Sequence, residues 1–355
     1  MPVSDWSGVS LPWFKELGVL KERIGSLFRR AEPRQQAGVF LEGLIGGVER
    51  KNGWQLAEYA GDPAPWRMQA LLGRTIWDEE KARDICRDYV IERLGDPSGV
   101  LVLDETGFLK KGRHSVGVAR QYSGTAGRIE NCQIGVFLGY ASPKGHALID
   151  RRLYLPKDWV EDAGRRKMAG IPAEVTFATK PKIGIAMVEA TLDAGVPCAW
   201  VLGDSVYGSD KSLRVMLESR EKPYVLSVRA NERLMIGGFR TRTAQELAAA
   251  VADNEWRRLP AGQGSKGPRL YDWARLRLFR LQSPPWDHWL LIRRSISDPA
   301  EMAFYVTYGR LETFLDRPKA RPGSIIARRA AGMAGTGTSR YPCWRSLFSQ
   351  ACVLN

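Results

Sequence analysis

Residues 101–112 read LVLDETGFLKKG. An apolar run enters Asp104, and a glycine and paired lysines follow. A short run of this kind reads as a buried strand, because strands covered on both faces are continuously apolar rather than alternating. The aspartate at its end has two readings. It caps the turn that follows, as Asp commonly does, or it presents a carboxylate at the end of a sheet strand, where open α/β sheets bind ligands. A second stretch repeats the pattern: CAWVLGDSVYG (198–208) runs an apolar strand into Asp204 and then into a glycine-containing loop. If the two strands are neighbours, Asp104 and Asp204 meet. Two close carboxylates repel, so one takes up a proton unless a cation sits between them. Hard oxygen donors at that point suit Mg²⁺ or Mn²⁺. Two such ions activate an attacking oxygen and stabilise a leaving oxygen in phosphodiester displacement.

The charge balance agrees with a polyanionic partner. Lys and Arg number 53 and Asp and Glu 39, which gives +14 on 355 residues. Such a balance favours nucleic acid. Half of the excess lies in the tail, where residues from Arg317 onward hold seven basic side chains and no acid. Apolar residues at 44% and charged residues at 26% are those of a globular protein. No apolar run approaches the roughly 18–20 residues of a membrane span, and the N-terminus lacks the pattern of a signal peptide. The five scattered cysteines form no CxxC, and there are three histidines. This argues against a disulfide framework or a zinc site and fits a reducing, cytoplasmic setting.

Texture divides the chain into three parts. Residues 1–97 are read as a helical N-terminal, DNA-binding domain: Leu20, Ile24, Leu27 and Phe28 recur at helical spacing, and basic residues occupy other faces. Trp54, Trp66 and Trp77 are expected to pack inside it. Gly95-Asp96-Pro97 marks its end. Residues 98–308 alternate strand and helix signals. A hairpin is expected over 132–142 and 146–156, helices over 182–194 and near 210–219, and strands over 198–204, 223–229, 289–295 and 302–308. The polar stretch 231–284 is read as a β-rich insertion. Residues 309–355 form an aberrant basic tail, expected to be poorly ordered.

The stretch from Leu101 to Leu138, LVLDETGFLKKGRHSVGVARQYSGTAGRIENCQIGVFL, resembles the first catalytic block of a family of bacterial insertion-sequence transposases of the DDE superfamily. WVLGDSVYG is similar to that family's second block, and the resemblance runs in order over roughly residues 20–310. It implies an α/β fold with a ribonuclease-H-like mixed sheet. It implies Asp104 and Asp204 as the first two metal-binding catalytic acids, with Mg²⁺ or Mn²⁺ between them. Lys110, Lys111, Arg120, Gln121 and Tyr122 would lie near double-stranded DNA, at transposon ends and at the target. A homodimer on DNA is implied, with no membrane association and no small-molecule cofactor. Two other readings remain beside it: a non-catalytic remnant that binds transposon ends, and a two-carboxylate hydrolase such as a glycosidase, which the basic charge disfavours.

One departure stands out. The family's third acid is a Glu on a helix after the last strands, just behind an Arg-Trp pair, and this tail has no such segment. Gly332–Ser349, read from the third base of each codon, can spell DGWHRHITLSLLALAFLA, which is similar to the family's C-terminal helix. The expectation is that a deletion or frameshift removed the Glu helix. Glu301 and Glu312 are the remaining substitutes, and neither carries a motif. Glu105 follows Asp104 directly and on a strand faces the other way.

Overall fold

The computed structural model describes residues 10–237, 240–264, 267–279 and 285–311. Glu312 and nearly all of the predicted tail lie outside the described residues. The chain divides into two compact units, whose described parts are residues 10–93 and 94–311. No described helix is long and apolar enough to cross a membrane.

The first unit is helical: α1 (Ser10–Gly25), α2 (Ala31–Ile45), α3 (Gly53–Tyr59), α4 (Trp66–Gly73) and α5 (Glu79–Leu94). Phe28, Phe40, Leu56, Met68 and Leu71 form its core, with Trp77 packed on it. Asn52 caps α3 by accepting from the amides of Trp54 and Gln55 at 3.0 Å each. α5 buries no residue and is tied instead by ion pairs, Arg23 to Glu92 at 2.7 Å and Arg93 to Glu16 at 2.5 Å. Two of the three expected core tryptophans are corrected here: Trp54 and Trp66 are 66% and 74% exposed. At about 100° per residue, Trp54 stands opposite the buried Leu56, and Trp66 points away from Met68 and Leu71.

The second unit is built on one large sheet. Its strands are β1 (Val100–Leu109), β2 (Ala119–Ser123), β3 (Arg128–Ser142), β4 (Gly145–Tyr154), β5 (Trp200–Gly203) and β6 (Tyr224–Val228). β7 (Arg233–Ile236) and β8 (Arg240–Thr243) form a separate ribbon, and β9 (Arg257–Gly264), β10 (Gly267–Arg277), β11 (Trp286–Arg294) and β12 (Met302–Arg310) return to the sheet. The helices are α6 (Lys157–Glu161), α7 (Ala163–Met168), α8 (Lys180–Asp193), α9 (Ser205–Gly208), α10 (Lys211–Ser219) and α11 (Ala244–Ala249).

The order across the sheet is β2-β3-β1-β5-β6-β12-β11-β10-β9, with β4 also on β3. β4 and β1 each pair antiparallel with β3, whereas β5 and β6 run parallel to β1. Three antiparallel strands followed by two parallel ones is the ribonuclease-H-like arrangement. Residues 231–284, expected above to be an insertion, contribute the ribbon, α11, and two strands that widen the sheet. The predicted hairpin turns at Ser142–Gly145, where Gly145 takes the positive φ of +145° that a side chain disfavours.

Side-chain alternation gives the sheet two different faces. Val100, Val102, Trp200, Leu202, Val225, Leu291, Trp273 and Tyr305 share one apolar cluster. On the opposite face α8 crosses Leu103 and Tyr207 at Gly184, where a Cβ would stand 3.0 Å from the Tyr207 ring.

The expectation that β1 stops at Asp104 is corrected. The strand continues to Leu109, because the long β3 supplies partners as far as Leu109↔Cys132. Gly107 makes the continuation possible. A Cβ there would meet the Ser123 hydroxyl at 2.4 Å, so only glycine lets β2 close over the strand. What does stop near Asp104 is the parallel pairing with β5, whose last pair is Leu103↔Gly203.

Candidate active site

That register places the two aspartates. Each is the residue after the last parallel pair. Asp104 continues the Val100–Val102 side of β1, and Asp204 the Trp200–Leu202 side of β5, so both leave the sheet on one face. Asp104 accepts from the Glu105 amide at 2.8 Å. Asp204 is the N-cap of α9 and accepts from the Val206 amide at 2.9 Å. Its capping role and its place beside Asp104 coexist.

Both carboxyls are hard to ionise. Burial, with Asp204 beside it, pushes Asp104 up to about 7. Burial, then the charge of Glu105, pushes Asp204 up to about 6. The charge of Lys180 offsets this only in part at Asp204, and a divalent cation would supply the remaining counter-charge. Among the described residues, no group of three His, Cys, Asp or Glu side chains is arranged to hold a metal. Mg²⁺ does not require one, since it commonly binds through one or two carboxylates and takes substrate phosphate and water for the rest. The donor set of Asp104 and Asp204 fits that mode.

Glu105 alternates to the α8 face, as expected, but it is not remote from the pair. Its charge acts on Asp104 and Asp204. There it pairs with Lys180, the first residue of α8, at 2.7 Å, with side chains 15% and 19% exposed. The Lys180 ammonium also sits 5.8 Å from the centre of the Tyr154 ring. Tyr207 is fully buried beside Glu105, and burial, then Glu105, drives its hydroxyl strongly upward. Neither the Tyr207 hydroxyl nor the second Glu105 oxygen makes a well-formed hydrogen bond. Tyr207 reaches this position because α9 lies hard against β6: a Cβ on Gly208 would stand 1.9 Å from the Ser227 carbonyl oxygen.

Sequence reasoning set Glu105 aside and missed Lys180 and Tyr207. Tyr207 lies inside the quoted WVLGDSVYG block, so its signal was present. Lys180 had no local signal, being 75 residues from its partner.

The other expected residues lie elsewhere on the same unit. Lys110 and Lys111 follow the end of β1, roughly 20 Å along the strand from Asp104 at about 3.3 Å per residue. The Lys110 amide donates to the Asn131 carbonyl at 2.9 Å. Arg120 and Tyr122 are exposed on one side of β2. Gln121 points to the other side and donates to the Cys132 carbonyl at 2.9 Å. Glu301 is an exposed turn residue whose amide donates to the Asp298 carbonyl at 3.0 Å.

Three comparisons bear on this arrangement. Residues 23–253 match the family described as DDE superfamily endonuclease. A probable transposase for insertion sequence element IS701 from Microchaete diplosiphon is 28% identical over 195 residues, covering 53% of this chain and 47% of that protein. The chain thus spans about half the length of that relative. Among solved structures, the NurA nuclease from Sulfolobus solfataricus matches with a TM-score of 0.30 at 11% identity, over 76% of this chain and 83% of that one, a likeness too distant to bear on the fold.

Proposed function

The chain belongs to the DDE superfamily endonuclease family, and on that premise we propose that it is an insertion-sequence transposase that cuts double-stranded DNA at transposon ends and transfers the freed ends to a target. The observation that carries the reading is the juxtaposition of Asp104 and Asp204 by the parallel pairing of β1 and β5.

Asp104 and Asp204 would hold Mg²⁺ or Mn²⁺, which activates the attacking oxygen and neutralises charge on the phosphate. The residues of the chain prepare that site. The α9 cap fixes the Asp204 carboxylate, and the Glu105 amide fixes that of Asp104. The Glu105–Lys180 pair keeps a third negative charge compensated at the edge of the cluster. In the first reaction a water oxygen attacks phosphorus, and the 3′-oxygen leaves and takes up a proton. In the second the freed 3′-hydroxyl attacks a target phosphodiester in the same way and loses its proton. No covalent enzyme intermediate is needed. Two ends cut together require two sites, which supports a homodimer on DNA.

A second reading is favoured by one observation, the absence of any acid from Arg317 onward. In that reading the chain binds transposon ends without cutting them. Cleavage of DNA carrying the element's ends, in Mg²⁺ or Mn²⁺, separates the two. Cleavage that Asp104→Ala abolishes supports the transposase. Binding without cleavage by both proteins supports the end-binding remnant.

A further inference from the structure

We propose that the β7–β8 ribbon is a clamp for the DNA backbone at the rim of the aspartate pair, with Arg233, Arg240 and Arg242 as its phosphate contacts. This rests on the reading of the chain as a DNA-acting enzyme and adds a surface that neither the catalytic blocks nor the Lys110–Tyr122 region contains.

Position is the first support. β6 is parallel to β5, with Gly203 paired to Leu226, so its carboxyl end lies at the same end of the sheet as Asp104 and Asp204. The chain leaves β6 at Val228 and enters β7 at Arg233. β6 itself lies about one strand spacing, ~4.8 Å, from β5 and two from β1, and only four residues separate its end from the ribbon.

Charge is the second. The one acid between β6 and β8 is Glu232, and Arg214 of α10 neutralises it at 2.7 Å, with side chains 11% and 5% exposed. Arg233, Arg240 and Arg242 are exposed. Arg233 donates to the Thr241 hydroxyl at 2.9 Å, which leaves most of its guanidinium donors available. A second acid, Glu246, lies beside Arg233 and Arg242. It is held in the capping box of α11 by Thr243, and that bond, with Arg233 and Arg242 nearby, keeps its carboxyl below the usual range.

Shape and rigidity are the third. Arg233, Thr241, Arg242, Glu246, Ala249 and Ala250 line an open groove of about 540 Å³. A guanidinium fork matches a phosphate bidentately, and a two-stranded ribbon is narrow enough to follow a DNA groove. The root is anchored by the Arg214–Glu232 pair, by the Ala244 amide on the Glu232 carbonyl at 2.9 Å and by the Phe279 amide on the Met235 carbonyl at 3.0 Å. The arginines are thus presented from a fixed base, which limits the entropy lost on binding.

The test is the salt dependence of binding of the full chain to a mixed-sequence DNA duplex, for the wild type, Arg233→Ala/Arg242→Ala and Arg233→Lys/Arg242→Lys. Each phosphate contact contributes about 0.9 to the slope of log affinity against log salt. Loss of two contacts lowers the slope by about 1.8. Over a fourfold rise in salt the wild type then loses about 12-fold more affinity than the alanine variant. The lysine variant keeps the wild-type slope, which a purely structural role would not require. A wild-type slope in the alanine variant overturns the clamp alone. A wild-type chain without affinity for the duplex overturns both the clamp and the proposed function.

Discussion

Asp104→Asn should stabilise the chain in the absence of divalent cations, and only above mildly acidic pH. The folded protein raises this carboxyl from its ordinary 3.8 to about 7. The folded state therefore holds the proton more tightly than the unfolded state. For this group, folding carries no penalty below about pH 4. The penalty grows as pH rises from 3.8 through 7 and is complete above that. At about 1.4 kcal/mol per pH unit the ceiling is about 4 kcal/mol. Asp104 keeps partial solvent contact, so about 2 kcal/mol is the realistic share, or roughly 4–8 °C in Tm for a unit of this size. Asp204, raised to about 6, acts in the same direction. The asparagine still accepts from the Glu105 amide and carries no charge to desolvate. The assay is thermal unfolding in chelator at pH 5 and pH 8. The wild type should lose stability between them, and the variant should lose less. A hundredfold excess of Mg²⁺ or Mn²⁺ over its Kd should restore about 2.7 kcal/mol to the wild type and little to the variant. A wild type equally stable at both pH values, with no advantage for the asparagine at pH 8, refutes the desolvated-pair account.

Three further substitutions probe the neighbouring structure. Asp204→Asn should keep the α9 cap, since Asn caps as well as Asp, while the rise in Tm caused by divalent cation disappears; a Tm drop as large as that of Asp204→Ala would show that charge, not capping, orders α9. Lys180→Met should cost about 3 kcal/mol by leaving Glu105 buried and unpaired; adding Glu105→Gln should recover most of it in denaturant unfolding, and additive losses would show that the two side chains are not coupled. Gly208→Ala should destabilise by about 2 kcal/mol or more, because the new Cβ would stand 1.9 Å from a backbone oxygen of Ser227; an unchanged Tm would mean that α9 is free to lift from β6.

Strands and helices of the second unit were legible wherever one physical signal dominated. The runs at 198–204 and 223–229 are nearly continuous apolar stretches up to Asp204 and Arg229, because both sheet faces are covered. The hairpin at Ser142–Gly145 announced itself through Pro143-Lys144-Gly145. The end of β1 was not legible in the same way. DETGFLKKG has the composition of a loop, and its pairing is decided by β3 and by the space that Gly107 leaves for Ser123, neither of which is local. Trp54 and Trp66 failed for a related reason. Their size suggested burial, but in helices as short as α3 and α4 the buried stripe is set by the leucine and methionine positions, and a tryptophan about half a turn off that stripe stays in water.

Alternation along β1 sends Glu105 away from Asp104, yet facing the other way does not isolate it from the aspartate pair. A strand is thin compared with the reach of a buried charge, and screening by water is weak there. A carboxylate on the far face therefore still biases the protonation of Asp204, where its charge is the largest influence after burial. The lysine that compensates it comes from a helix 75 residues away. Pattern reading assigns side chains to faces, whereas the electrostatic unit of this site extends through the sheet. That unit comprises Asp104 and Asp204 on one face and the Glu105–Lys180 pair with Tyr207 on the other, and it becomes visible only once β1, β5, α8 and α9 are packed together.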